Sequence, residues 1–430
     1  MRNKCGLGKF FSAIALFLTF AFLQPLFGQQ SVSSYLPNEI IVKLKPGVDL
    51  NAISAQYGLD AQPISQFGNR PIYRLRVLNS IPIPQIAASL IADTNNIAYA
   101  EPNFVLGSPS SGAIPWALGG SWSIGGSWSI GGSVKGFSRQ WMRNKINLDA
   151  AHEITRGAGV KVAVLDTGID LSHPIFAGKL LPGYDFVDGD SDPSEVGTYY
   201  QGSFGHGTHV AGIVAMVAPD AKIIPIRVLD QDGVGNVWTL AKALNYAANP
   251  DGDVNTNDGA NIINLSLGTT ERTNLIRLLI AAETNHGQFP DDQDFPNIIH
   301  PGIAIVAAAG NTGNTTRIYP GAENVDGLIA VGASTNADTV ASFSTYGNEI
   351  GLMAPGDKII SAIPGGRYAT WRGTSMSAPV VSGIAALVMA KYRNLSPNDT
   401  LDRIRNTSVN VNASISRRVD AARAVGATQN

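Results

Sequence analysis

The chain has 430 residues, too many for one domain of average size, so we expect two folded units with additional segments. Hydrophobic residues make up 44% of the chain and charged residues 15%, a balance that indicates a well-packed globular protein and excludes an intrinsically disordered one. The formal net charge of −2 comes without a basic tract, so the composition does not favour nucleic acid as a partner.

The first 28 residues have the pattern of a secretory signal peptide, because three basic residues precede an apolar stretch over residues 10–27. A membrane anchor is the alternative, and Pro25 near the end of the stretch argues against it. The single cysteine, Cys5, lies in this segment, so cleavage would remove the thiol that a disulfide or a cysteine metal site needs. We therefore expect a secreted or periplasmic protein without a stable membrane anchor.

Residues 35–105 have the pattern of a small α+β domain of ferredoxin-like type. Alternating polar and apolar residues in "NEIIVKLKP", "RPIYRLRVL" and "IAYAEPNFVL" predict three strands. Helical spacing in "LNAISAQYG" and "PQIAASLIAD" predicts two helices, which lie between the strands along the chain. A β-α-β-α-β order at this length is typical of a compact ferredoxin-like unit.

Residues 106–139 contain the hexad GGSWSI twice and the beginning of a third copy. Glycine and serine enrichment predicts a flexible linker and processing region. The repeated tryptophans, Trp122 and Trp128, leave a binding feature as the alternative.

Residues 140–428 alternate between apolar, β-branched runs and helical stretches. The runs are "VKVAVLD", "AKIIPIRVL", "ANIINLSLG", "GIAIVAAAG" and "GLIAVGAS". Continuously apolar strands separated by helices predict an α/β fold with a doubly wound, mostly parallel sheet that is flanked by helices. In such sheets, functional residues gather at the carboxyl ends of the strands.

Three candidate residues precede the serine-rich segment. "VAVLDTGID" places Asp166 at the end of a strand, with an N-cap as the alternative role. "GHGTHVAGIVA" lacks the Glu and the four-residue interval of a zinc-protease helix, so we expect His206 to reach a cleft and His209 to open a helix and pack. "AAAGN" places Asn311 at another strand end, where its amide could donate to an oxyanion or form a Gly-Asn turn.

"WRGTSMSAPVVSGIAALV" contains three serines, of which Ser375 is the candidate nucleophile. It begins a predicted helix, where N–H groups and the helix dipole favour a developing anion. Pro379 fits the first turn of that helix, whereas Ser377 and Ser382 are expected to pack inside it. A nucleophilic serine needs a base and the base needs an orienting group, which a histidine and an aspartate supply. The chain order Asp, His, Ser and the missing G-x-S-x-G elbow argue against an α/β-hydrolase.

Together, "VAVLDTGID", "GHGTHVAG" and "GTSMSAP" resemble the three catalytic segments of the subtilases, the subtilisin-like serine endopeptidases. "NLSLG" and "AAAGN" resemble their substrate-binding strand and oxyanion segment. The resemblance runs from about residue 140 to "RRVDAARAV" at 418–425, and residues 35–105 resemble the family's propeptide.

The resemblance implies that Asp166 orients His206, that His206 is the general base and acid, and that Ser375 attacks the carbonyl. Asn311 and the Ser375 backbone N–H would stabilise the oxyanion. A peptide substrate would lie as an added β-strand between two segments, Ser266, Leu267 and Gly268 on one side and Gly233, Val234 and Gly235 on the other. Ile318 would make the pocket for the residue before the cut shallow, which favours small or medium apolar residues.

The resemblance implies that no cofactor is required for the chemistry and leaves structural calcium open. Ile175 stands where many family members have a calcium-binding Asp after His-Pro. Two acidic stretches, 185–195 and 249–258, lack the glycine at position six of an EF-hand loop, and polar turns explain them equally well.

We therefore predict an exported serine endopeptidase that is made as a zymogen. It would act on protein or peptide substrates and be inhibited by its own propeptide, and its oligomeric state stays open. The rival hypothesis is a subtilase fold kept as a binding protein without turnover, which requires a permanently bound propeptide because all catalytic residue types are present.

Overall fold

The structure is a computed structural model that describes residues 34–107, 133–199, 202–253, 256–284 and 302–427. The predicted signal peptide and most of the predicted linker, with both repeated tryptophans, lie outside these residues. We call residues 34–107 the small domain and residues 133–427 the large domain. The elements of the small domain are β1 (Tyr35–Leu44), α1 (Leu50–Tyr57), β2 (Ser65–Gln66), β3 (Ile72–Arg76), α2 (Ile83–Ala92) and β4 (Ile97–Gly107).

The small domain has the predicted ferredoxin-like arrangement, with the short strand β2 added. Its antiparallel sheet has the order β2-β3-β1-β4. Alternation along β1 sends Ile40 and Val42 into a core with the two helices, while Ile41 packs on the opposite face against the large domain. Helix α1 begins after Asp49, whose side chain accepts from a backbone N–H, and ends at Gly58 in the left-handed conformation.

The large domain has nine helices and twelve strands among the residues that the structure describes, together with a 3-10 helix at Pro174–Phe176. The helices are α3 (Val134–Ser138), α4 (Trp141–Lys145), α5 (Leu148–His152), α6 (His206–Val217), α7 (Val237–Ala248), α8 (Asn274–Thr284), α9 (Thr374–Lys391), α10 (Pro397–Asn406) and α11 (Ala421–Val425). The strands are β5 (Lys161–Asp166), β6 (Tyr184–Asp185), β7 (Lys222–Arg227), β8 (Val234–Asn236), β9 (Ile262–Leu265), β10 (Ala304–Ala308), β11 (Leu328–Ser334), β12 (Ile350–Pro355), β13 (Ile359–Ile363), β14 (Arg367–Trp371), β15 (Val409–Asn410) and β16 (Arg417–Arg418).

Nine of these strands form one sheet with the order β15-β16-β12-β11-β10-β9-β5-β7-β6. All neighbours are parallel except β15 and β16 at one edge. In β5, Val162 and Val164 face the core with α6 and α9, while Ala163 and Leu165 face the core with α7 and α8. Because helices cover both faces, the central strands are largely apolar on both faces, as the sequence predicted.

Helix α9 lies at the centre of the large domain. It is long and apolar enough to span a membrane by length and composition, but most of it is buried inside the fold. A Cβ on Gly383 would lie 2.5 Å from the Cβ of Val217, so the glycine allows α9 to approach α6 closely. The apolar character of α9 is therefore explained by its position in the protein core.

The last residues of the predicted linker belong to the folded large domain. Ser133 caps α3, and Phe137 is buried against Tyr368 with the ring centroids 5.3 Å apart. The large domain therefore begins before residue 140, where the sequence analysis placed its start.

The small domain docks on α7 and α8. Ile41, Ile72 and Tyr99 share one apolar core with both helices, and the ring of Phe67 meets that of Trp238 edge-on at 5.9 Å. Strand β4 also pairs with β8 of the large domain, so the small sheet gains a fifth strand. This docking brings the end of the small domain to the carboxyl edge of the large sheet.

Candidate active site

Three neighbouring strands bring predicted residues of the site together. β10, β9 and β5 are adjacent, and Asn311, Ser266 and Asp166 lie at or just beyond their carboxyl ends. Leu165 pairs with Leu265 in the parallel register, so Asp166 and Ser266 follow at the same level. The site therefore lies at the sheet edge where the fold class predicted it.

Asp166 and His206 form a buried pair. His206 Nδ1 lies 2.6 Å from Asp166 Oδ1, and the two residues are 3% and 1% exposed. The backbone N–H of Thr167 donates to the same oxygen at 2.8 Å. With Nδ1 donating to the carboxylate, Nε2 is the unprotonated nitrogen of the neutral ring and is able to accept a proton.

The glycines beside His206 allow a close approach between two segments. A Cβ on Gly207 would lie 2.1 Å from the carbonyl oxygen of Gly168 and 3.1 Å from the Cβ of Asp166. Gly205, at φ +88°, ends the preceding loop in the left-handed region. These glycines therefore let the first turn of α6 lie directly against the end of β5.

Ser375 is the second residue of α9 and is buried. Its Oγ donates to the carbonyl oxygen of Ser266 at 3.2 Å, and Ser266 Oγ donates to the carbonyl oxygen of Ser375 at 3.0 Å. Pro379 is the sixth residue of α9, so the prediction that it lies in the first turn was wrong. Pro379 has no N–H for the Ser375 carbonyl four residues earlier, and the Ser266 hydroxyl supplies that hydrogen bond instead.

Asn311 is fixed by the helix that carries Ser375. Its Oδ1 accepts from the backbone N–H of Thr374 at 2.9 Å and from the Thr374 hydroxyl at 3.0 Å. Its Nδ2 and the His206 Nε2 are buried and have no hydrogen-bond partner among the described residues. A free donor and a free acceptor at one site are what an acyl-transfer reaction uses.

His209 packs beneath the candidate base, and α6 begins at His206 rather than at His209. The His209 ring stacks on Trp371 with the centroids 4.6 Å apart and the planes at 8°. Burial lowers the pKa of His209 to about 3, so the ring is neutral at ordinary pH. The same tryptophan ring stacks beside His206 at 6.2 Å, a contact that the sequence analysis did not predict.

Ser377 and Ser382 pack inside α9 as the sequence analysis predicted. Ser377 Oγ donates to the carbonyl oxygen of Ala354 at 3.0 Å, and Ser382 Oγ donates to Asn264 Oδ1 at 2.9 Å.

The two predicted substrate-binding segments hold the end of the small domain. Leu106 and Gly107 of β4 pair with Gly235 and Val234, and Gly233 precedes them at φ +75°. Across from these, the backbone N–H groups of Gly107 and Gly268 each donate to the other residue's carbonyl oxygen, at 3.2 and 3.1 Å. The chain of the small domain therefore lies as a strand between the two segments.

Ile318 lies against Gly268, whose backbone pairs with Gly107 of this strand. Its side chain is 2% exposed, and a Cβ on Gly268 or on Gly310 would come within 2.5 Å of it. Leu267, the residue before Gly268, is buried in the core with α7 and α8. Ile318 thus fills the space between two glycine backbones.

The acidic stretches make hydrogen bonds of their own. In 185–195, Asp185 pairs with Arg227, and in 249–258 the Asp251 carboxylate accepts from Asp253 N at 2.8 Å. Ile175 packs against the core with α6 and α9. Within the described part of the chain, no group of three or more His, Cys, Asp or Glu side chains could hold a metal ion.

Comparison with known proteins identifies both domains. Residues 157–424 match the model of the subtilase family, and residues 26–103 match that of the fervidolysin N-terminal prodomain. The chain is 34% identical over 377 residues to a thermophilic serine proteinase of Bacillus sp. (strain AK1), covering 84% of this chain and 80% of the relative. It is 37% identical over 285 residues to thermitase of Thermoactinomyces vulgaris, covering 63% and 91%.

Solved structures give the same answer for the fold. A protease from Pseudoalteromonas arctica is similar with a TM-score of 0.57 and 29% identity, covering 68% of this chain and 98% of that one. A cold-adapted subtilisin-like serine proteinase is similar with a TM-score of 0.51 and 28% identity, covering 62% and 90%. The chain belongs to the subtilase family of serine proteases and carries an N-terminal prodomain.

Proposed function

We propose that the protein is an exported endopeptidase, made as a zymogen, that cleaves peptide bonds through an acyl-enzyme on Ser375. The observation that carries the proposal is the buried pair of Asp166 and His206, whose Nε2 is free among the described residues, at the same sheet edge as Ser375 and Asn311. Export rests on the signal-peptide pattern of residues 1–28.

In the proposed mechanism, the Ser375 hydroxyl turns from the Ser266 carbonyl toward His206 Nε2 and gives up its proton as Oγ attacks the peptide carbonyl. Asp166 holds the ring in the required tautomer and stabilises the imidazolium that forms. The imidazolium then protonates the leaving amine, which departs and leaves an ester on Ser375. Water attacks this ester as His206 takes its proton, and the imidazolium returns that proton to Ser375 Oγ as the ester bond breaks, so the acid product leaves and the hydroxyl is restored. These steps use the chain's own side chains and need no metal.

The oxyanion is stabilised by Asn311 and by the start of α9. Two hydrogen bonds from Thr374 fix Asn311 Oδ1, which sets the direction of the two N–H bonds on Nδ2. The N–H groups of the first turn of a helix have no partner within the helix, so the Ser375 N–H is available as a second donor. Both donors are in place before the charge develops, which is the condition for a large effect on the rate.

The substrate lies where the prodomain strand lies in this structure, between Gly235 and Gly268. Ser266, which accepts from Ser375 Oγ, precedes Gly268 by two residues. In an antiparallel pair, the residue opposite Ser266 comes two positions after the one opposite Gly268, so a substrate in the register of Gly107 would present the bond about two or three positions later to Ser375. We expect the first self-cleavage there, and we expect Ile318 to favour small or medium apolar residues before the cut.

The test is active-site labelling of the chain without residues 1–28. A fluorophosphonate probe, followed by peptide mapping and intact mass, should label Ser375 and show removal of the prodomain, whereas Ser375→Ala should do neither. N-terminal sequencing of the first product locates the cleavage. If the wild-type chain folds but neither labels nor processes itself, the protein is a binding protein with a subtilase fold.

A further inference from the structure

We infer that Glu195, outside the predicted catalytic set, is a positioning residue that holds Asp166 and His206 together. It lies in the loop before α6 and is partly buried. Its carboxylate contacts the segment that follows Asp166 and the helix that begins at His206. This inference rests on the proposed function of the same site.

The contacts of Glu195 reach both segments. Its Oε1 accepts from the Thr167 hydroxyl at 2.5 Å. Its Oε2 accepts from the backbone N–H of Thr208 at 3.1 Å and from the Thr208 hydroxyl at 2.8 Å. Thr167 directly follows Asp166, and Thr208 is two residues after His206 on the first turn of α6. One carboxylate therefore spans both sides of the catalytic pair.

The Thr167 hydroxyl also connects Glu195 to Gly207, the residue after His206. The hydroxyl donates its single hydrogen to Glu195. Its lone pairs therefore face the backbone N–H of Gly207, and this N–H donates to the hydroxyl oxygen at 2.9 Å. Gly207 follows His206 directly. Without the carboxylate, the hydroxyl would be free to rotate and the bond to Gly207 would lose its fixed direction.

The backbone around Glu195 is also held in place. Its N–H donates to the carbonyl oxygen of Ile169 at 3.1 Å, and the N–H of Ile169 donates to that of Pro193 at 3.0 Å. Gly168, at φ +108°, lies so close that a Cβ there would be 2.6 Å from the carbonyl oxygen of Ser194. The carboxylate thus projects from a loop that is itself attached to the segment after Asp166.

The charge of Glu195 is disfavoured by its surroundings. Burial raises the pKa of Glu195 to about 7, and the negative charge of Asp166 raises it too, while the hydrogen bonds from Thr167 and Thr208 lower it. Burial of a charged carboxylate beside Asp166 costs free energy, and this cost is consistent with a role of Glu195 in positioning Asp166 and His206. The competing explanation is a purely structural one, a carboxylate that stabilises the N-terminus of α6.

The experiment compares Glu195→Ala and Glu195→Gln in the full chain without residues 1–28. Each self-processed enzyme is titrated with the fluorophosphonate, and kcat and KM for a peptide substrate are expressed per labelled Ser375. We expect Glu195→Ala to lose about tenfold or more in kcat with KM within about twofold, because misalignment affects the transition state more than binding. Glu195→Gln keeps one acceptor oxygen and should recover most of the loss.

Two further variants complete the design. Asp192→Ala, which removes an exposed carboxylate of the same loop, should leave kcat and KM unchanged. Thr167→Val removes the hydroxyl between Glu195 and Gly207 and should lower kcat as Glu195→Ala does, with the double variant no worse than either single one.

The outcomes separate this inference from the proposed function. If the wild-type chain is not labelled at Ser375, the proposed function fails. If it is labelled and Glu195→Ala keeps the wild-type kcat per labelled site with only a lower melting temperature, the carboxylate is structural and the inference is wrong. If Glu195→Ala does not fold, a wild-type kcat in Thr167→Val overturns it instead.

Discussion

Glu101 of the prodomain should make prodomain binding weaker as the pH rises. It is 4% exposed and accepts from the backbone N–H groups of Asn274 and Leu275 at the start of α8, at 2.6 and 3.0 Å. Burial raises its pKa from 4.5 to about 7, against the opposing effects of these hydrogen bonds and of the charge of Arg277. Because the pKa is higher in the docked state, docking takes up a proton. The contribution of Glu101 is complete below about pH 4.5 and is lost as the pH rises through about 7.

The size of the effect follows from the two pKa values. A carboxyl group that titrates near 4.5 when free and near 7 when docked weakens binding roughly 70-fold between pH 5 and pH 8. Glu101→Gln cannot titrate, so the inhibition constant of its prodomain should lose this part of the pH dependence. Asp60, an exposed prodomain carboxylate that bonds only locally to Gln62, provides the matched control Asp60→Asn.

The assay uses the self-processed complex. Prodomain inhibition constants are measured on a peptide substrate at four values between pH 5 and pH 8, and each rate is divided by the uninhibited rate at the same pH. Wild type and Asp60→Asn should show the same weakening with pH, and Glu101→Gln a much smaller one. Equal slopes for wild type and Glu101→Gln, or tighter binding of the wild-type prodomain at pH 8, would refute the reasoning.

Three other variants test the site and the core. Asn311→Leu should lower kcat by about 10²–10³-fold, as loss of one oxyanion donor typically does, while leaving KM nearly unchanged; a smaller loss would place the oxyanion elsewhere. Gly383→Ala should destabilise the large domain by about 1–3 kcal/mol in thermal unfolding, because its Cβ would overlap Val217, and an unchanged melting temperature would contradict the close helix approach. Ile318→Ala should raise kcat/KM for a Phe substrate over an Ala substrate by about tenfold; an unchanged ratio would mean that Ile318 does not limit the pocket.

The sequence predicted the strand ends and their residues because apolar, β-branched runs mark buried parallel strands whatever their neighbours are. It could not predict that β10, β9 and β5 are adjacent, since strand order depends on how the helical crossovers pack. The adjacency is what brings Asn311, Ser266 and Asp166 to one place.

Contacts between distant segments explain where sequence reasoning fell short. The sequence leaves calcium and polar turns open for the stretch that contains Glu195, because its partners, Thr167 and Thr208, are 28 and 13 residues away in the chain. Local rules favour Pro379 in the first turn of a helix, where its missing N–H costs nothing. The Ser266 hydroxyl, 109 residues from Ser375, supplies the hydrogen bond that Pro379 cannot give to the Ser375 carbonyl, so the helix extends further toward its N-terminus than local rules allow.

The prodomain binds with the same backbone groups that a substrate would use. Gly107 occupies the N–H and carbonyl of Gly268, and Leu106 and Gly107 pair with β8, while Glu101 holds α8 and the apolar face of the small sheet covers α7. A short peptide can form only the backbone contacts with Gly268 and β8, so it competes poorly with an intact prodomain. The proposed cut, two or three residues after Gly107, would leave all of these contacts in place, so release would then depend on loss of the apolar and Glu101 contacts. Under the proposed function, processing and activation are therefore separate steps, and Glu101 makes the second one sensitive to pH.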